Sequence, residues 1–349
     1  MYFKKISILL IGVIILVSCT KHSNRQVITA EPVPVQVEVV RFDSALLSVR
    51  TTDVEADVDS LYARYPDFMP LWVNSVLYGY LGFLEDAGFI KLQSDSAIQY
   101  MLPAFLHDRH TGLEQVNYDT RKVFSNISPI QQSLNLAYGR WLTFEPEHYV
   151  PRVWFMLSAF FYPLISVGQD MAVGVEGYLG SDYAFYDQVV YNYQKQTMRP
   201  ECIPVNIILQ DMKQTYSSCF AQSRLIDEMI YQGIIMYATA ALFPDLPGYE
   251  IIGYPETKWQ WCEKYEADLW KTMMDRQVLF SQDPATQASF LSDGPFTSEI
   301  SQDSPARIGT WIGWRIVEQY MNNNEDITIP ELLHSTDAQL ILEISKYRP

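Results

Sequence analysis

At 349 residues the chain is long enough for two ordinary domains or one large one, and 48% apolar residues with 14% aromatics exclude a disordered protein. Its 25 basic residues against 41 acidic ones leave a net charge of −16, which repels phosphate backbones and anionic lipid headgroups alike. Nucleic acid is therefore set aside as a partner, and any membrane attachment must come from something other than surface charge.

The N-terminus supplies that attachment. Lys4 and Lys5 form a positive start, and Ile6 to Val17 is an apolar run interrupted only by Ser7 and Gly12. Such a run is too short for a bilayer-spanning helix, which takes about 20 residues, but it fits the core of a secretory signal. It ends in Leu16-Val17-Ser18-Cys19, which resembles the bacterial lipobox, where a small residue precedes a cysteine that is lipidated and becomes the mature N-terminus. The expected organisation is a signal peptide over 1–18, a lipidated tether over 19–36 beginning at Cys19, and a single domain over 37–349. The lipid bilayer is then reached through the N-terminal lipid alone. Thr20-Lys21-His22-Ser23 lacks the acidic stretch after the cysteine that resembles a surface-export signal of bacterial lipoproteins, so the body is expected to face the periplasm.

From 37 to 150 the pattern is helical. Val54–Arg64, Leu71–Leu84, Ser96–Phe105 and Ile130–Trp141 carry apolar residues at three- and four-residue spacing. Turn signals such as Tyr65-Pro66-Asp67 and Ser128-Pro129 separate them. From 151 to 349 strands and helices mix. Val153–Phe161 reads as a buried strand, and Met171–Leu179 as a strand with one wet face, Glu176 and Tyr178 flanking the apolar positions. Leu225–Phe243 is apolar nearly all round and reads as a buried helix. Trp259–Met274 and Pro305–Met321 read as further helices, the second with Ser304-Pro305 as N-cap and first residue. Its Gly309 and Gly313, four apart, give a backbone face that a neighbour can approach closely. Asp43-Ser44-Ala45, Asp59-Ser60-Leu61 and Asp95-Ser96-Ala97 resemble an O-glycosylation sequon and equally fit helix N-caps.

Little complete chemistry is written in the chain. There is no hydrolase elbow, phosphate-binding loop or dinucleotide loop. Beyond Cys19 the cysteines are Cys202, Cys219 and Cys262; an odd number leaves at least one unpaired, and none shows CxxC spacing. His107-Asp108-Arg109-His110 lacks nameable further ligands for a metal. The most informative stretch is Asp227-Glu228-Met229-Ile230-Tyr231. A zinc peptidase carries H-E-x-x-H on such a helix, because residues four apart share a face and reach one metal. Here the Glu and the spacing remain, with Asp227 and Tyr231 where the histidines would stand. Two acids in the first turn of a helix also oppose its positive end, with no metal involved. Glu263 and Glu266 on the following helix are candidate cleft carboxylates, and an oxygen-only set would suit a hard cation. No metal and no cofactor are expected.

Several segments together carry a family resemblance. The lipobox, Arg41-Phe42-Asp43, Leu61-Tyr62-Ala63-Arg64-Tyr65-Pro66-Asp67-Phe68, Tyr178-Leu179-Gly180-Ser181-Asp182 and Asp227-Glu228-Met229-Ile230-Tyr231-Gln232-Gly233 resemble the gliding-motility lipoprotein GldB of Bacteroidota. So do Ile252-Gly253-Tyr254, the segment from Ser304 to Trp314, and the closing Ser345-Lys346-Tyr347-Arg348-Pro349. The resemblance implies an envelope lipoprotein whose partners are proteins of the gliding and type IX secretion machinery. It also implies an α+β, mostly helical fold: a zincin-like, degenerate metallopeptidase-like domain with a helical N-terminal part. The expected function is non-enzymatic, a pseudo-peptidase body binding a protein partner. The alternatives are a metal-dependent hydrolase with a remodelled carboxylate site, using Glu228 as general base, and a surface glycan-binding lipoprotein.

Overall fold

The computed structural model describes residues 28, 30–90, 98–218, 220 and 223–349. In them the chain is mostly helical with one small mixed sheet, an α+β arrangement. The signal segment, Cys19, Cys219 and the triplet at Asp95 lie outside the described residues.

In chain order, strand β1 (Val39–Arg41) leads into helices α1 (Phe42–Leu46), α2 (Val54–Arg64), α3 (Phe68–Trp72) and α4 (Tyr78–Asp86), the last two joined by a π turn over Val73–Leu77. Helices α5 (Ile98–Leu106), α6 (Leu113–Val123) and α7 (Ser128–Trp141) follow. Then come strands β2 (Val153–Met156), β3 (Leu164–Val167) and β4 (Asp170–Gly174) and a 3-10 turn over Val175–Tyr178. The remainder is helical: α8 (Tyr186–Val189), α9 (Ile203–Thr215), α10 (Leu225–Leu242), α11 (Gly248–Ile252), α12 (Glu256–Asp275), α13 (Pro284–Leu291), α14 (Ile308–Asn323), α15 (Ile329–Leu333) and α16 (Ala338–Ser345).

The sheet order is β1-β2-β4-β3, parallel except for the β3–β4 hairpin. β1 thus brings the helical first part into the same sheet as the second. Aromatic rings fasten the layers: Phe42 meets Tyr65, Phe68 and Trp72 edge-on, Phe68 stacks on Trp154 of β2 at 4.1 Å, and Trp72 Nε1 donates to the Leu157 carbonyl at 2.7 Å. Such pairs add to the burial of large rings and set their geometry.

The second half is built around the crossing of α10 and α14. A Cβ on Gly233 would lie 2.7 Å from the Trp314 nitrogen, and one on Gly313 would overlap the Met229 carbonyl. The two helices therefore touch backbone to backbone, which only glycine allows.

Four local expectations are corrected. The strand read over Val153–Phe161 stops at Met156, because Ala159 and Phe160 adopt left-handed φ of 52° and 66° and turn the chain back. The strand read over Met171–Leu179 ends at Gly174, and Glu176 is buried rather than wet. Ser304-Pro305 does not cap α14, which begins at Ile308 behind a left-handed Arg307; Ser304 Oγ instead donates to the Ser301 carbonyl at 2.6 Å. Asp43 and Asp59 lie inside helices rather than at N-caps, Asp43 being buried and paired with Arg41.

Candidate functional site

Asp227 and Glu228 stand in the first turn of α10. Asp227 is 1% exposed and accepts three hydrogen bonds from Arg224: the backbone N–H at 3.0 Å, Nε at 2.8 Å and Nη2 at 2.7 Å. The guanidinium in turn lies over the Phe280 ring. The first N–H groups of the helix, of Leu225 and Ile226, are taken by the carbonyls of Ser281 and Leu279, both at 2.8 Å. The usual orphan donors of a helix start are thus already satisfied. Glu228 is half-buried, and burial, helped by the Asp227 charge, raises its proton affinity against a hydrogen bond from Ser223. Tyr231 is half-buried one turn further on.

The second pair of candidate carboxylates is engaged elsewhere. Glu266 of α12 accepts from Arg315 Nε at 3.0 Å and from the Tyr347 hydroxyl at 2.9 Å, and Arg315 also pairs with Glu318. Burial works against the Arg315 charge, yet Glu318 and Glu266 outweigh it and hold the guanidinium protonated. This network ties α12, α14 and the C-terminus together. Glu263 is exposed and accepts from Trp259 Nε1 at 2.9 Å. Among the described residues no group of three or more His, Cys, Asp or Glu side chains is placed to hold a metal ion. His107 faces Glu114, and His110 stacks on Phe89.

A different region gathers polar groups around a cavity. It lies at the C-terminal ends of β2 and β4, a position where parallel strands commonly present a ligand crevice. An open cavity of about 460 Å³ is lined by Ser158, Phe160, Gly174, Tyr178, Asn206 and Arg307 among others. Beside it Glu176, 1% exposed, accepts at Oε1 from the Ser158 N–H (2.7 Å), the Ser158 Oγ (2.6 Å) and the Phe160 N–H (3.0 Å). Its Oε2 has no partner among the described residues. Burial pushes the Glu176 proton affinity up, and the hydrogen bonds at Oε1 only partly oppose it. The same bonds hold the left-handed pair Ala159-Phe160 in place. Gly174 is required here because a Cβ would meet the Tyr162 carbonyl oxygen at 2.5 Å. Asn206 Nδ2 donates to the Tyr178 hydroxyl at 3.2 Å, and burial raises the Tyr178 pKa to about 12.

From the sequence, Glu176 and Tyr178 read only as the wet side of a strand and not as part of a site. Its one readable signal was an acid, Glu176, between Gly174 and Gly177 in an otherwise apolar run. A second buried polar cluster was also missed: Tyr138 and His148 both reach Asp211 Oδ2, at 2.8 and 3.1 Å, with His148 stacked on Trp141. Cys202 and Cys262 are buried, and burial raises both thiols, which makes them poor nucleophiles.

The described residues thus form an α+β body with glycine-tight helix packing and carboxylates tied into ion pairs. The family model for gliding motility protein GldB, a lipoprotein family, matches residues 23–349, and the chain belongs to that family. No curated protein and no solved structure matches the chain significantly. Among the described residues no helix is long and apolar enough to cross a membrane.

Proposed function

We propose that the chain is a non-enzymatic component of the cell envelope that supports gliding motility, and the type IX secretion linked to it, by binding a protein partner. In this reading it is anchored by a lipid on Cys19, faces the periplasm, and has a degenerate zincin-like body. Helix α10 keeps the spacing of a metal-binding helix without its ligands. The observation that carries the reading is the commitment of Asp227: all three Arg224 donors within 3.0 Å fall on its two oxygens. A carboxylate held this way closes the start of a helix and does not stand ready as a ligand.

One observation favours a hydrolase instead. Glu228 is half-buried with raised proton affinity, the property expected of a general base. Elemental analysis of the purified full-length chain separates the two. The non-enzymatic reading predicts no stoichiometric metal. A stoichiometric metal that is lost on Asp227→Asn or Glu228→Gln overturns it.

A further inference from the structure

The two edges of the sheet are treated differently. Just ahead of β1, the Val37 N–H donates to Asn135 Oδ1 at 2.8 Å and its carbonyl accepts from Gln131 Nε2 at 3.0 Å, so side chains of α7 cap the chain where it enters that edge. β3 is the other edge, half-buried along its length and paired only with β4. The pairing runs from Leu164↔Val173 to Val167↔Asp170 around a tight turn at Gly168-Gln169, and the Gly174 N–H donates to the Pro163 carbonyl at 3.2 Å. In an antiparallel ladder alternate residues turn both backbone groups toward the partner strand. Pro163, Ile165 and Val167 therefore face β4, while Leu164 and Ser166 turn their N–H and C=O groups outward. Among the described residues no hydrogen bond uses those outward groups.

Open edges are normally blunted by charge, proline or a bulge. β3 has none of these at its outward positions: Leu164 and Ser166 are uncharged, and Pro163 stands in the register that faces β4. The strand also runs directly into the cavity, which Pro163 lines together with Phe160, Tyr178, Tyr193 and Asn206. Helix α9 floors both, because Gln210 Nε2 donates to Ser166 Oγ at 3.3 Å while Asn206, one turn earlier, meets Tyr178.

We propose that the β3 edge and this cavity form one site, which binds an extended segment of a partner protein by strand addition and takes into the cavity a side chain of that segment with both apolar and hydrogen-bonding surface. A peptide backbone supplies donors and acceptors at every second residue, about 7 Å apart, which is the spacing of the outward groups of Leu164 and Ser166. The rings of Phe160, Tyr178 and Tyr193 supply apolar contact and Ser158, Asn206 and Arg307 supply hydrogen-bonding groups, and together they give such a segment its specificity. The proposal deepens the partner-binding reading above and rests on it.

The test uses peptides selected from a phage-displayed random dodecapeptide library on the full-length chain. Ser166→Pro removes one outward N–H and leaves the β4 ladder alone; it is expected to weaken the selected peptides by about tenfold or more, one hydrogen bond's worth. Ser166→Ala keeps that N–H and is expected to bind within about twofold of the unchanged chain. On the unchanged chain, peptides N-methylated at alternate residues should lose binding in one register only, and bound peptide should slow hydrogen exchange at Leu164 and Ser166. Failure to select any binder overturns the site. Peptides that ignore Ser166→Pro and N-methylation, or protect another surface, overturn the site and leave partner binding standing. Cleavage of the bound peptide overturns the non-enzymatic reading, and this proposal with it.

Discussion

Glu176 offers the sharpest test of how the cavity wall is built. Replacing it with Ala removes the acceptor for two backbone N–H groups and one hydroxyl. The hydroxyl can turn to another acceptor, but the N–H groups of Ser158 and Phe160 cannot. At about 1–3 kcal/mol for each buried unsatisfied donor, the loss comes to about 2–6 kcal/mol. Relaxation of the left-handed Ala159-Phe160 pair returns part of this, so a value near 3 kcal/mol is expected. Glu176→Gln keeps an oxygen acceptor in place of Oε1 and should cost about 1 kcal/mol or less at pH 5. The two side chains then diverge with pH. The native Glu176 carboxyl holds its proton more tightly than the unfolded one, because burial disfavours its charge. Between the two values the native state carries the extra proton, and stability falls as pH rises through that window. The amide does not titrate, so the stability of the unchanged chain relative to Glu176→Gln should fall by about 1.4 kcal/mol per pH unit above the ordinary glutamate value, until the native value is passed. Urea unfolding of the three proteins at pH 5, 6, 7 and 8 measures both effects. Parallel pH profiles for the unchanged chain and Glu176→Gln, or a loss below 1 kcal/mol for Glu176→Ala, would refute the reasoning.

Two further expectations concern the scaffold. Gly313→Ala forces α10 and α14 apart by about 1 Å or more, and a net loss of about 3 kcal/mol is expected in thermal or urea unfolding despite the better helix propensity of alanine. Gly82→Ala in α4 meets no atom within 4 Å and should instead stabilise by about 0.5–1 kcal/mol, so the pair separates steric from conformational effects. Arg315→Met removes the guanidinium that Glu266 and the buried Glu318 share and should cost about 3 kcal/mol in the same assay; a change below 1 kcal/mol would mean the network is not what joins α12 to α14.

Much of the helical frame was legible because long amphipathic or apolar segments announce their own period. Val54–Arg64 forms as read, the helix read to Phe243 stops one residue earlier at Leu242, and Gly313 indeed marks the face that α10 approaches. The sheet was not legible to the same degree. β1 and β3 span three and four residues, too few to show a period of two, and which strand is an edge depends on pairing across distant segments. Glu176 looked like a wet-face residue because its burial is decided by Ser158 and Phe160, eighteen and sixteen positions away, folding back over it. At α10 the sequence left two roles open for Asp227, and the partner that engages it, Arg224, was visible three residues upstream. Glu266 could not be placed from sequence, since its partners Arg315 and Tyr347 belong to α14 and the C-terminus.

The central claim, that this family member supports motility without catalysis, meets its most direct test at Glu228. The side chain is half-buried, so the nearly isosteric Glu228→Gln preserves the helix while removing any general base. The measurement is the spreading of a strain deleted for this gene and supplied with either the unchanged chain or Glu228→Gln at equal protein level. Equal spreading of the two is the result expected. Loss of spreading with a folded, membrane-anchored Glu228→Gln protein would contradict the account and restore the hydrolase.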